Sequence, residues 1–397
     1  MRASGKQRGA ALIVTLLILV LGIATLLTRS LNSLALQLAR DADTLNALSH
    51  AREALIGDAV AQMPITSAGY LRLPDLGFKI GMLAAEGSAA PNFSGNSKDY
   101  SVLGKLPWRS LGLEPLRDGQ EECLWYLVSG RFKNTPLTDA LNWDTPGQID
   151  LADANGNVIA SNLAALVIAP GSALDGQNRA LADPAYTQCG GNYDAHNYLD
   201  PYNASDTLSG ASNYFGGSSN DRVALDSNNK LLLMARSDHY NDRFLFITGD
   251  DIFRALIHRA DFSAQVSALL NDAYFQSVAI AGTKGSDNIN CNSLSSNNRT
   301  FCKNWKDMLL LTQLPSPAAI TIDGLPTAVC SRVLIFGGQK NAAQLRLSAT
   351  DKANPANYIE GANLSAFATP LANTGNFGGT SMFSASNPSA DLLKCLP

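Results

Sequence analysis

One stretch near the start of the chain limits what the rest can do. From Ala10 to Thr28 the run Ala-Ala-Leu-Ile-Val-Thr-Leu-Leu-Ile-Leu-Val-Leu-Gly-Ile-Ala-Thr-Leu-Leu-Thr holds no charge. As a helix it rises about 28 Å, the thickness of a bilayer core, so residues 10–28 are expected to form a transmembrane helix. Arg2, Lys6 and Arg8 form a basic leader that ends at Gly9. The positive-inside rule then keeps the leader cytoplasmic and sends everything beyond Arg29 outward. A cleaved secretory signal has an apolar core of about 7–15 residues and a small-residue cleavage site. This run is longer, and no Ala-x-Ala follows it.

The pattern continues past Arg29. Leu31, Leu34, Leu38, Leu45, Leu48, Leu55 and Ala59 recur at helical spacing, with Asp41, Asp43, Arg52, Glu53 and Asp58 between them. Met63-Pro64 is the stop. The spacing predicts one helix from about residue 10 to about 62, its second part (29–63) amphipathic and laid along a folded domain.

The segment Lys6-Gln7-Arg8-Gly9-Ala10-Ala11-Leu12-Ile13-Val14-Thr15-Leu16-Leu17 resembles the start of type IV prepilin-like proteins, the minor pilins and the pseudopilins of type II secretion. In that family a prepilin peptidase cuts after the Gly and the new N-terminus is methylated. The resemblance therefore implies a leader of residues 1–9, cleavage between Gly9 and Ala10, and methylation of Ala10. It also implies a bacterial inner-membrane protein with a single span and a periplasmic C-terminal region, bound for a pilus or the cell surface. Its partners would be the peptidase, other minor pilins or pseudopilins, and the inner membrane. The family usually has Phe first and Glu fifth in the mature chain, where this sequence has Ala10 and Val14. The missing carboxylate resembles the large tip pseudopilin and some minor pilins, and points to a tip or initiating subunit.

Length and charge bound the remainder. A chain of 397 residues exceeds one typical domain. A net charge of −4, with 16% charged residues, excludes a strongly basic nucleic-acid surface. Cys123, Cys189, Cys291, Cys302, Cys330 and Cys395 all lie beyond the apolar run, and an even count in an oxidising compartment favours disulfides. Six cysteines allow 15 pairings; the working set is Cys291 with Cys302, Cys330 with Cys395, and Cys123 with Cys189. With no Cys-x-x-Cys and only four His, a zinc cluster is not expected.

Residues 64 to about 100 read as linker. Beyond them, Cys123–Ser129 and Leu166–Gly171 are strand-length apolar runs. Gln148–Ala160 reads as a hairpin turned by Asn155-Gly156 in a type I′ turn. Asp150, Asp153, Asn155 and Asn157 also alternate like a calcium loop, but the closing Glu is absent.

An internal repeat organises these pieces. Leu166–Gly171 with Gln177 and Arg179 aligns without a gap on Val333–Gly338 with Gln344 and Arg346. Asn197-Tyr198-Leu199-Asp200 with Asn203 and Ser205 aligns on Asn357-Tyr358-Ile359-Glu360 with Asn363 and Ser365. Ser237 and Asp242 match Ser386 and Asp391, and Trp108–Leu111 can be set against Trp305–Met308. A helix from Asp250 to about Phe275 would then stand in the second copy where residues 44–62 stand in the first. The expectation is α+β: a long N-terminal transmembrane and amphipathic helix, then two pilin-like units of helix plus antiparallel sheet, 64–249 and 250–397, the second without a membrane segment. The tail 361–389 reads as loop.

No hydrolase, Walker or dinucleotide motif is present, so neither an enzyme nor a cofactor is expected. Ser227-Asn228-Asn229-Lys230 fits Ser-x-x-Lys but sits in a polar stretch. His196, His239 and His258 are isolated; Asp238, Asn241 and Asp242, or Asp200 beside Asp194, are the only metal-like groupings, and none closes a site. Three functions are in play: a structural filament subunit, a surface-binding module using Tyr193, Tyr198, Tyr202, Tyr214 and Phe215, and a membrane-anchored hydrolase.

Overall fold

The structure is a computed structural model that describes residues 7–77, 85–91, 100–135, 137, 140–153, 155–180, 188–189, 191–200, 223–224, 230–278, 289–368 and 376–397. Helix α1 (Gln7–Ala61) is continuous over 55 residues. Its last turns bury Leu48, Leu55 and the small Ala47, Ala51 and Ala59. The Ala side chains let the helix axis lie close to the sheet beneath it.

The membrane expectation is corrected here. Among the described residues no helix is long and apolar enough to cross a membrane. Helix α1 carries Arg40, Asp41, Asp43, Arg52, Glu53 and Asp58. The expected span at 10–28 and the single-pass inner-membrane placement do not fit that finding.

Twelve strands form three sheets among the described residues. They are β1 (Tyr100–Lys105), β2 (Trp125–Val128), β3 (Ile149–Ala152), β4 (Val158–Leu163), β5 (Ala165–Ala169), β6 (Val223–Ala224), β7 (Lys230–Leu232), β8 (Arg243–Ile247), β9 (Leu309–Ile322), β10 (Leu325–Phe336), β11 (Gly378–Gly379) and β12 (Leu392–Leu396). The first sheet has the order β6-β1-β2-β5-β8, the second β11-β9-β10-β12, and the third β4-β3-β7. The run expected as a strand at 123–129 contains β2, and the one at 166–171 overlaps β5. Both strands are fully buried, as a continuous apolar run requires when both faces of a sheet are covered.

The hairpin is present as β3 and β4, but its turn is not the two-residue type. Asp153 heads a five-residue loop, its Oδ1 accepting the backbone N–H groups of Asn155 and Asn157, and among the loop's described residues only Gly156 has a positive φ. The Asn157 side-chain amide, which donates to Oδ2 at 3.0 Å, and these backbone groups occupy the carboxylate offered to calcium and hold it below the usual carboxylate range. The stretch read as linker packs too: Tyr70, Leu71 and Leu73 are buried.

The helix expected for the second unit is not continuous. The helix read from Asp250 to Phe275 is three pieces, α2 (Gly249–Leu256), α3 (Ala260–Leu270) and α4 (Tyr274–Ser277). Thr248 and Asp251 close α2 with a reciprocal capping box, which accounts for acids at that end. Arg259 breaks the run by turning outward to the carbonyls of Val60 and Gln62 at the end of α1 and to Asp261. Further on come α5 (Ser296–Trp305), α6 (Ala349–Ala353) and α7 (Gly361–Ala368), the last inside the tail read as loop.

Helix α2 packs on α1, and one hydrophobic core runs through both halves. Its centre is Trp143, from the first half, whose ring lies 4.7 Å from Trp305, 6.0 Å from Phe336 and 6.2 Å from Phe383 of the second. The fold is α+β with several sheets sharing that core. The cysteines pair as Cys123–Cys189, Cys291–Cys302 and Cys330–Cys395, the same three pairs as in the working set. The last ties the C-terminal strand β12 to its neighbour β10.

Candidate functional site

Two features stand out: the leading part of α1, and a hydrogen-bonded arginine cassette that occurs twice. The apolar stripe of α1 divides near Leu45. Leu48, Leu55 and Ala59 are buried, whereas Ile13, Val14, Leu16–Leu21, Ile23, Leu34, Leu36, Leu38 and Leu45 are 49–64% exposed. Burial of a Leu or Ile side chain is worth about 1.5–3 kcal/mol, so this face represents a large unused driving force for association. The Gly9–Ala10 bond lies in the first turns of α1, and residues 1–6, including Arg2 and Lys6, lie outside the described residues.

The first cassette is built on the turn after β5. Arg179 donates from Nη1 to the carbonyl of Gly171 at 2.7 Å, from Nε to that of Asn197 at 2.8 Å, and from Nη2 to Gln177 Oε1 at 2.7 Å. Its guanidinium lies 4.8 Å from the ring centre of Tyr198. Gln177 Nε2 donates to Asp200, and Asn197 Oδ1 accepts the N–H of Asn178. Gly171 has φ +63°, and a Cβ there would meet Asn241 Oδ1 at 2.5 Å, so both conformation and space call for glycine.

The second cassette, after β10, repeats this contact for contact. Arg346 donates to the carbonyls of Gly338 and Asn357 and to Gln344 Oε1, and stacks 4.5 Å from the Tyr358 ring centre. Gln344 Nε2 donates to Glu360, and Asn357 Oδ1 accepts the N–H of Leu345. The strands agree: β5 lies between β2 and β8, β10 between β9 and β12, all antiparallel.

The other two sequence blocks fare differently. Asp242 and Asp391 are both buried carboxylates, but Asp242 accepts the N–H of Asp200 at 2.5 Å while Asp391 accepts Asn363 Nδ2 at 2.8 Å and the N–H of Gly338. The matching N–H of Gly171 goes instead to Asp118. Trp108 sits in a turn against Gly87 and Trp305 ends a helix, so those two are not equivalent. Asn203 and Ser205 lie outside the described residues.

The chain matches no protein-family model, no curated protein and no solved structure.

The remaining chemical candidates are occupied or apart. Among the described residues no group of three or more His, Cys, Asp or Glu could hold a metal. The structure brings Asp200 to Asn241 and Asp242, whose backbone N–H groups and carboxylates interlock, while Asp194 is turned to His196 at 2.8 Å. Burial pushes Asp200 up to about 6 and Asp242 further up. His239 and His258 are exposed and separate. Tyr193 donates to Asp75 and, with Tyr198, flanks the buried Lys105 ammonium at 4.7 and 5.1 Å. Burial lowers that lysine to about 8. Those two aromatics are therefore used internally, and Tyr202, Tyr214, Phe215 and Ser227–Asn229 lie outside the described residues. Sequence reasoning missed Trp143 and Asp144, which join the two halves; a lone Trp-Asp in a polar stretch gives no periodic signal.

Proposed function

We propose that this chain is a structural subunit of a type IV pilin-like filament, a minor pilin or pseudopilin, placed at the tip or in initiation. The observation that carries the reading is α1: a continuous helix whose C-terminal turns are gripped by the folded body while its leading apolar face is left exposed. Such a face gains most by packing side by side with the like helices of neighbouring subunits, where knobs and holes exclude water. The basic leader and Gly9 support removal of residues 1–9 by a prepilin peptidase and methylation of Ala10. Val14 supports a terminal position, since it supplies no carboxylate to pair with a neighbour's amine.

Mass spectrometry of the protein from filament-bearing cells tests this directly. The expected mature chain begins at a methylated Ala10, and a Gly9→Val variant keeps its leader. A native chain that still begins at Met1 and never copurifies with filament components would overturn the reading. Leu38→Glu separates packing from folding. It should abolish incorporation yet leave thermal unfolding unchanged, because Leu38 contacts solvent.

A further inference from the structure

We propose that a cleft at the seam between the two halves binds a small hydroxylated anion, its anionic group held by Arg254 and Lys340 and its hydroxyls directed to the floor at Trp143 and Asp144. The cleft has a volume of about 340 Å³, at the lower end of the range for small-molecule sites. Its walls come from four separated stretches: the Trp143-Asp144 turn, α2 with the turn after it, Gln339-Lys340 beside the second cassette, and Ala385 with Pro388.

Charge selects the ligand class. Asp144 is the one lining carboxylate already neutralised, by Arg346 at 3.2 Å. Arg254 and Lys340, both exposed, have no ion pair among the described residues. Two free cations on one rim are repaid best by a carboxylate or phosphate, which a guanidinium and an ammonium can grip together. Asp250, the remaining lining carboxylate, also lacks an ion pair among the described residues; it stands one helical turn before Arg254, and its charge disfavours a second anionic group on the ligand. A ligand with one anionic end and one neutral polar end satisfies both conditions.

The floor explains the hydroxyl. Trp143 Nε1 and Asp144 Oδ1 are a buried donor and a buried acceptor on adjacent residues, and neither has a hydrogen-bond partner. Leaving both unsatisfied is costly, and a hydroxyl donates and accepts at once. Both atoms are buried within residues that line the cleft, so a ligand hydroxyl reaches them only with an outward shift of this turn. The rings around Trp143 are filled by core aromatics, which leaves its edge rather than its face for recognition.

Titration calorimetry on the full chain tests the proposal with four probes: glucuronate, glycerol 3-phosphate, glucose and inorganic phosphate. The expected result is saturable binding of glucuronate or glycerol 3-phosphate, at least about tenfold tighter than glucose and than inorganic phosphate. The tighter of the two identifies the anionic group as carboxylate or phosphate. The double variant Arg254→Ala, Lys340→Ala should weaken that binding about tenfold or more with little change in melting temperature, since both side chains are exposed and neither has an ion pair among the described residues. A Trp143→Phe variant that folds should lose preference for the hydroxylated anion over inorganic phosphate. No binding of either hydroxylated anion at about 10 mM, equal binding by the double variant, or inorganic phosphate binding as tightly would overturn the proposal.

Discussion

The two arginine cassettes share their local chemistry and differ in what lies beyond it. Around Arg179 the last ion pair stays at home: Glu122, in the same half, accepts from Nη1 at 3.1 Å with its side chain 27% exposed. Around Arg346 the corresponding nitrogen crosses to Asp144 of the other half, with side-chain exposures of 1% and 3%. One copy closes a turn on itself; the other joins two sheets. A duplicated hydrogen-bond motif thus acquires a second role through a single charge that reaches a different neighbour.

That contrast can be broken most forcefully at Arg346. Arg346→Ala strands Asp144 as a buried charge and empties the carbonyl cradle, so unfolding free energy should fall by about 3–5 kcal/mol. Chemical denaturation measures it, and a loss no larger than that of Arg179→Ala would erase the distinction between the two copies.

The carboxyl groups behind the cassettes come next. Asp200 is held by burial at about 6, above its ordinary value of 3.8. A carboxyl raised on folding keeps its proton in the native state while the unfolded chain ionises, so its contribution falls as pH rises from about 4 to about 6 and stays low above that. The stability of Asp200→Asn relative to wild type should therefore improve between pH 4 and pH 7, by up to ~3 kcal/mol. An unchanged difference across that range would show that Asp200 titrates normally. Asp391, also pushed up to about 6 by burial, should behave the same way in the second copy.

Arg179→Ala removes a guanidinium whose ion pair is more exposed, and about 2 kcal/mol is expected by the same denaturation series. Smallest is Arg52→Ala, which breaks a half-exposed ion pair to Asp251 at 2.8 Å between α1 and α2. Its expected cost is below about 1 kcal/mol, and a larger value would mean that the junction of the halves depends on the helix pair more than on Trp143 and Arg346.

Much of the architecture could be read from local pattern. The periodic leucines and the Met63-Pro64 stop bracket α1, and the apolar runs at 123–129 and 166–171 contain or overlap buried strands. The Gln-x-Arg and Asn-Tyr spacings mark both cassettes in the sequence. Other readings failed where distant residues intervene. Asp250 to Phe275 looks like one helix, yet Arg259 is drawn out of it by carbonyls at the end of α1. Asn155-Gly156 looks like a tight turn, yet Asp153 imposes a wider loop.

The sequence by itself determined the periodic elements, the repeated cassette and the exposed leading face of α1, because each depends on residues a few positions apart. Only the tertiary structure decided that the halves share one core, that Arg346 reaches Asp144, and that a charged cleft opens beside them. Those depend on packing between residues up to about two hundred positions apart, as in the 202-residue separation of Asp144 and Arg346. Neither side-chain period nor spacing along the chain carries that information.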